Sequence, residues 1–391
     1  QVGVRNKTAV IYTAENAVFI SRKIAEQVPN AVSFGWSSFR RMKNDHDLHA
    51  LVGIGRNPNL GAVLLLGSEN TGIAVSKVAD GISKSGKTVE ILDVSKLSGT
   101  RDGIEKGVRI AKKLARGISQ IRKSQHDASL LTVGVKCGGS DATSALTANP
   151  VVGLVSDDVI DCGGKILSSE LTEMTGCDEA IRRRAKNQKV ANQVISRIHD
   201  ADGEFEARFG EDHSMMSPGN ILGGLTTIEE KSYGAFMKTG HRGLEDLLDP
   251  GEYPSKSGWY VVDGLVAKSI RHYGLEADGE PTDFAAAGAQ ITFFTTGRGS
   301  ANGNLIAPLI KVCANPLTFK TMPGDMDFNA GAILEGSITQ ELAAKKLFDL
   351  LLRTASGKET KSELLGHEEG GIIFGGRSTA IVERSIRIPA E

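Results

Sequence analysis

Short apolar runs and amphipathic stretches alternate from the first residues of the chain. "AVIYTA" (9–14) predicts a strand, and "NAVFISRKIAEQV" (16–28) predicts the helix behind it. The couplet repeats with the apolar run "GAVLLLG" (61–67). In the next stretch, "NTGIAVSKVADGISKSG" (70–86), Ile73, Val75, Val78 and Ile82 keep helical spacing. A strand "TVEILDV" (88–94) and an amphipathic helix "TRDGIEKGVRIAKKLARGISQIR" (100–122) with a basic outer face follow, and "LLTVGV" (130–135) closes the series. Strands alternating with helices predict a parallel sheet covered on both faces.

The pattern continues with a strand in "GGKILSSE" (163–170) and a long charged helix near 178–209, then loosens. "FGEDHSMMSPGN" (209–220) reads as an ordered loop, and "TTIEEKSYGAFMKTG" (226–240) as a helix ended by glycine. "AQITFFTTG" (289–297) and "PLIKVC" (308–313) are strands, and "TQELAAKKLFDLLLRTASG" (339–357) is a C-terminal helix. The chain shows neither an internal repeat nor a low-complexity linker. The polar "KSQHD" before the strand at 130 marks the expected boundary. The expectation is an α/β protein with a Rossmann-like parallel-sheet domain over 1–128. A larger mixed α/β domain with glycine-rich loops would follow over 129–391.

Composition narrows the function classes. Apolar residues make up 40% of the 391 and charged residues 24%, as in a soluble globular protein. The 46 Lys+Arg and 47 Asp+Glu nearly cancel, which gives no support for a nucleic-acid or membrane-surface role. No apolar run approaches the roughly 20 residues that cross a bilayer, and no signal-peptide pattern is visible. Cys137, Cys162, Cys177 and Cys313 form no C-x-x-C pair, against a zinc ribbon or a secreted disulfide framework. A cytoplasmic location is expected. Glycine, at 46 residues, clusters in "GGLTT", "TTGRGSANGN" and "GGIIFGG", where backbone would approach something closely.

Two of the strand ends run into glycine-rich turns: "LLTVGV-KCGGSDATS" and "ITFF-TTGRGSANGN". Ligands of α/β sheets bind at such carboxyl ends, where freed N–H groups and a helix N-terminus favour an anion. Ser140 or Asp141 is placed to cap the helix that follows, which is also their plain structural reading. Capping needs neither Lys136 nor Cys137, so these two are candidates for chemistry. Arg298, between two glycines, has the fork that suits a carboxylate; an exposed turn arginine is the alternative. In "SSELTE" (168–173), Glu170 and Glu173 stand at a strand end, as general base, metal ligand or solvated loop. Thr226 and Glu229 fit a capping box, which leaves Glu230 and Lys231 over. Asp325, Asp327 and Asn329 share a face in extended chain. Gly331 comes one place late for a calcium loop and Gly336 stands at its twelfth position, which excludes an EF-hand and leaves oxygen ligation of a cation open. "DHDLH" (45–49) reads as a polar helix start.

Six motifs occur in order: "VGVRN", "KCGGSDATSALTANP", "PGNILGGLTTIEEKS", "FTTGRGSANGN", "GDMDFNAG" and "TASGKETKSE". Together they closely resemble the large domain of the altronate/galactarate dehydratase family, over almost the whole chain. The resemblance implies a hydro-lyase that removes the proton alpha to a sugar-acid carboxylate and expels water from the β-carbon, leaving a 2-keto-3-deoxy acid. It also implies a divalent metal, iron in the family. On that basis Lys136, Cys137, Glu170 and Lys231 are the catalytic candidates, and Cys137 and Glu173 the metal candidates. Gly138, Gly139, Ser140, Asp141, Asn149, Thr296 and Arg298 are the candidates for binding a small carboxylate substrate.

Two departures stand against the family pattern. Cysteines that the family carries in its first domain are replaced here by "ENAV" (15–18), by Trp36 or Ser37 in "SFGWSSF", and by Ser68 in "LLGSENTG". The chain also opens at "VGVRN", past the small N-terminal domain of single-chain dehydratases, which is expected to have been removed or to be a separate subunit of a homo- or hetero-oligomer. The sulfolactate sulfo-lyase large subunit, a split relative that releases sulfite and pyruvate, is the alternative reading. A non-catalytic sugar-acid-binding subunit is the third.

Overall fold

The computed structural model describes residues 1–36, 45–209, 216–263, 280–367 and 373–374. Ser37, residues 210–215 of the expected loop and most of "GGIIFGG" lie outside the described residues. The first sheet is built from β1 (Lys7–Tyr12), β2 (Ala31–Trp36), β3 (Leu60–Gly67) and β4 (Thr88–Asp93). Its edge strand β12 (Ile373–Phe374) comes from the far end of the chain, giving the order β12-β2-β1-β3-β4 with every pairing parallel. Alternate residues of β1 point to opposite faces. Val10 and Tyr12 pack against α1 (Val18–Ala25) and α4 (Thr100–Ser119). Ala9 and Ile11 pack on the other side against α2 (His46–Gly55) and α3 (Val75–Ser83). Burial on both faces is why β3 reads as an unbroken apolar run.

The second sheet holds β5 (Thr132–Cys137), β6 (Lys165–Ser168), β7 (Leu244–Leu248), β8 (Gly258–Val262), β9 (Ile291–Thr296), β10 (Leu309–Cys313) and β11 (Phe328–Asn329). Its order is β11-β10-β9-β5-β6-β8-β7, again parallel throughout. One face is covered by α5 (Ala148–Asp161), α7 (Gln188–Phe209) and, after two short helices, α8 (Pro218–Leu222) and α9 (Ile228–Phe236), by the C-terminal helix at Gln340–Ala355. On the other face α10 (Glu280–Ala286) lies between the sheets. Phe284 sits on Gly134 of β5, where a Cβ would come 2.5 Å from the ring. Ala285 and Ala286 join the core under α2. Among the described residues no helix is long and apolar enough to cross a membrane.

Several expectations are corrected. The long charged helix is two, α6 (Asp178–Arg184) and α7, because Ala185 turns extended and bridges to Leu244. The helix expected from residue 70 begins only at Val75. Ser140 and Asp141 do not cap a helix: α5 starts at Ala148, and Asp141 instead closes the preceding turn through Thr143 N at 2.9 Å. The cap of α9 is Thr227, which accepts from Glu230 N, one residue later than expected. The Asp327 carboxylate is used by Lys311 N and Lys361 N, at 2.8 and 2.9 Å.

Candidate active site

β5 stands where the chain order of the second sheet reverses, with β6, β7 and β8 on one side and β9, β10 and β11 on the other. Parallel sheets bind ligands at the carboxyl ends of strands at such a point. The last two residues of β5, Lys136 and Cys137, are each 1% exposed. Beyond the end of β6, Glu170 takes φ 59° and ψ 61° as it enters the 3-10 turn Leu171–Met174. Among the described residues only Asn30 shares a positive φ without being glycine. The left-handed region costs an L-residue about 1–2 kcal/mol, so other contacts must hold Glu170 there.

Those contacts are ionic. Lys136 Nζ donates to Glu170 Oε1 at 3.1 Å. Lys231, on α9, lies 3.1 Å from Glu173 Oε1. Lys238 comes from the 3-10 turn Met237–Thr239 that ends α9. Its Nζ is 3.1 Å from Cys137 Sγ, 3.3 Å from Glu173 Oε2 and 3.5 Å from Glu170 Oε2. The Cys137 thiol donates to Glu173 Oε2 at 2.8 Å. α5 fixes the turn that carries Lys238. Ser156 Oγ donates to Lys238 O at 2.9 Å, and Asp157 Oδ1 accepts from His241 N and Arg242 N at 2.7 and 3.1 Å.

Burial and charge set the proton affinities. Burial and then the charge of Glu173 push the Cys137 thiol up, against the pull of Lys238, so it remains a thiol. Burial, followed by Glu173, raises Glu170 despite Lys136 and Lys238. Burial would raise Glu173 as well, but Lys231 and Lys238 override it and hold the carboxyl well below its usual range. Burial would lower Lys238, yet the groups it faces keep it well above the ordinary lysine value. Two adjacent carboxylates driven apart in this way are the usual basis for dividing acid and base roles.

Cys137, Glu170 and Glu173 also have the donor chemistry of a cation site, with three ligand atoms within 4.8 Å of one another. Three ammonium groups already answer those donors. A divalent ion among them would lie about 3 Å from an ammonium, a repulsion on the order of 10 kcal/mol at an effective dielectric of about 20. As arranged, the trio fits lysine and does not fit a divalent ion as well.

Of the sequence candidates, Lys136, Cys137, Glu170, Glu173 and Lys231 converge here. The others form an adjoining group at the ends of β5 and β9. Gly138 rests on Phe294, whose ring a Cβ would meet at 2.5 Å, and Gly139 O accepts from Gly297 N and Arg298 N. Ser140 O accepts from Asn220 Nδ2, and Asp141 Oδ2 from Asn315 Nδ2. Thr296 Oγ1 accepts from Gly299 N, and exposed Arg298 donates to Gly219 O. Asn149 donates to Gly234 O and accepts from Thr295 Oγ1. In this set Asp141, Asn149 and Thr296 therefore shape the loops.

Lys238 was missed by sequence reasoning; its signal was a lone lysine in the apolar end of a helix, "GAFMKTG". The stretches where family cysteines would stand fall at the carboxyl ends of β1, β2 and β3, and there Ser68 Oγ pairs with Thr71 Oγ1 at 2.8 Å. A cavity of about 1760 Å³ opens at the amino ends of β1, β3 and β4 and includes none of the cluster. The strand-end rule and the gathered titratable groups favour the cluster over it.

Comparison with known proteins identifies the family. The family described as D-galactarate/altronate dehydratase, C-terminal, matches residues 128–377, and the second domain of D-galactarate dehydratase/altronate hydrolase matches residues 1–119. The chain is 35% identical to the (2R)-sulfolactate sulfo-lyase subunit beta of Chromohalobacter salexigens, over 94% of this chain and 93% of that one. It is 32% identical to the altronate dehydratase of Bacillus subtilis and 30% identical to the L-threo-forming galactarate dehydratase of Escherichia coli. These matches take in 84% and 80% of this chain but span only 63% and 59% of the two dehydratases. With a family match across both sheets, the chain belongs to the D-galactarate/altronate dehydratase family.

Proposed function

We propose that the chain is a lyase that performs β-elimination on a 2-hydroxy carboxylate carrying a leaving group at C3. In the leading reading it expels water from a sugar acid of the altronate or galactarate type. The observation that carries this is the cluster itself: two carboxylates of divided proton affinity and three ammonium groups, held together at a strand-end switch point.

An anionic substrate enters past Lys231, the least covered member of the cluster at 14% exposure, and meets ammonium groups there. Glu170, raised in affinity, takes the C2 proton. The C2–H electron pair becomes the C2–C3 double bond as the C3–O bond breaks, and an ammonium of Lys136 or Lys238 gives the departing hydroxide its proton. The enol then tautomerises to the 2-keto acid. Ammonium groups facing the developing enediolate stabilise it where water is excluded. Arg298 and the Gly138–Ser140 backbone, at the adjoining strand end, hold the rest of the substrate.

A second reading has its own observation: the match to a sulfo-lyase subunit runs over nearly the full length of both chains. In that reading the same C2 proton is removed and sulfite leaves C3 as an anion, needing no proton. Both readings include a small N-terminal domain or a separate small subunit. The test is an anaerobic 2-keto-acid and sulfite assay over aldonates, aldarates and sulfolactate, with and without ferrous iron and a small subunit. Keto acid from a sugar acid without sulfite establishes the hydro-lyase, and sulfite with pyruvate establishes the sulfo-lyase. No product from any substrate with the partner present overturns both, leaving a sugar-acid-binding subunit.

A further inference from the structure

The centre of the Cys137–Glu170–Glu173 trio is already taken. All four carboxylate oxygens have a cationic partner: Glu170 Oε1 has Lys136, Glu170 Oε2 has Lys238, Glu173 Oε1 has Lys231, and Glu173 Oε2 has Lys238 together with the Cys137 thiol. Among the described residues Lys238 is the cation that reaches all three, at 3.1, 3.3 and 3.5 Å from Cys137, Glu173 and Glu170. Its side chain is 3% exposed. Its position is not an accident of a flexible side chain, because the turn that carries it is tied to α5 through Ser156 and Asp157. Gly153 of α5 lets that turn come close: a Cβ there would stand 2.2 Å from Met237 O.

We propose that Lys238 is the resident cation of this trio, occupying the place of a divalent ion, and that the cluster takes up no metal. This departs from the iron that the family resemblance implies. It deepens the functional reading above and rests on it in one respect: in the elimination, the charge opposite the enediolate comes from ammonium groups. The exclusion of metal is a property of the folded chain and is read without turnover.

The experiment is an anaerobic cobalt(II) titration of the full chain, followed by absorption and by cobalt content after gel filtration. A thiolate ligand gives cobalt a charge-transfer band, and Cys137→Ser separates Cys137 from the exposed Cys162. The wild type is expected to develop no band that depends on Cys137. Lys238→Met, which keeps the length and removes the charge, is expected to bind one cobalt with a thiolate band that the K238M/C137S double variant lacks. A wild-type band that disappears in Cys137→Ser overturns the proposal. So does a folded Lys238→Met protein that still takes up no cobalt, because the ammonium would then not be what excludes the ion. Lys238→Gln replaces Lys238→Met if circular dichroism shows the latter unfolded, and the wild-type titration decides the exclusion by itself. Failure to find a keto acid would count against the elimination and leave the cobalt result standing.

Discussion

Glu170 joins backbone strain to chemistry, and its two costs can be weighed. Glu170→Gly would relieve about 1–2 kcal/mol of left-handed strain. It would also strip Lys136 and Lys238 of a buried acceptor, and breaking a buried ion pair costs about 3–5 kcal/mol. The second effect is larger, so urea unfolding should show a net loss of about 2 kcal/mol. A more stable glycine variant would mean that the cluster does not hold Glu170 in place. Glu170→Gln keeps the shape and removes the base; kcat should fall about 10²–10⁴-fold, as expected for loss of a general base. Cys137→Ala with full turnover would strike the thiol from the catalytic candidates. The site was partly legible in the sequence. Lys136 and Cys137 stood out because a strand-end turn needs neither, and Glu170 and Glu173 because they followed a strand. Lys238 did not stand out, since its partners lie 65, 68 and 101 residues away and nothing local marks a buried lysine as paired.

At the scale of elements, α5 is the part that sets the site. Asn149, Ser156 and Asp157 form a buried polar face on it, and Gly153 sits among them, so that the turn after α9 beds down against the helix. Gly153→Ala would place a methyl group against Met237 O and Gly240, at 2.2 and 3.4 Å, and would push the turn outward. Overpacking of this kind costs about 1–3 kcal/mol, and a 1 Å misplacement of a reacting group costs about 100-fold in rate. Steady-state kinetics should therefore show a deep loss in kcat alongside a modest loss in thermal stability. A variant with altered melting but unchanged kcat would detach the turn from the reaction. Much of the element order was legible because buried parallel strands are apolar runs and their helices keep a clear 3.6 period. The misses have local causes. "LEDLL" of β7 carries two carboxylates in five residues, and "GWYVV" of β8 is only five residues long. The break between α6 and α7 is imposed by a bridge to Leu244, some sixty residues on.

At the scale of the molecule, the two sheets are joined by buried amides that leave little freedom between them. Asn57 Nδ2 donates to Ala285 O and Ala289 O, and Asn59 Nδ2 to Gln290 O and Ile306 O. Asn59 Oδ1 accepts from Val4 N and Arg5 N, and Gln290 Oε1 from Thr132 N. The same seam is tied from the C-terminal side by Arg5. Its guanidinium grips both oxygens of Glu363 at 2.7 Å, and the two side chains are 12% and 13% exposed. Burial would raise the Glu363 carboxyl, but Arg5 and the Thr360 N–H outweigh it, so its folded pKa is depressed. A depressed carboxylate pKa contributes stability that is fully present above the unfolded value, about 4.3 for glutamate, and is lost as pH falls through the folded value. The urea midpoint of the wild type should therefore drop as pH falls below about 4.5, and Glu363→Gln should remove this group's share of the drop. The two proteins should differ most near neutral pH and converge in acid, where the glutamate is protonated and the pair no longer ionic. A gap that stays constant with pH would mean that the charge of Glu363 adds nothing to the joint between the sheets.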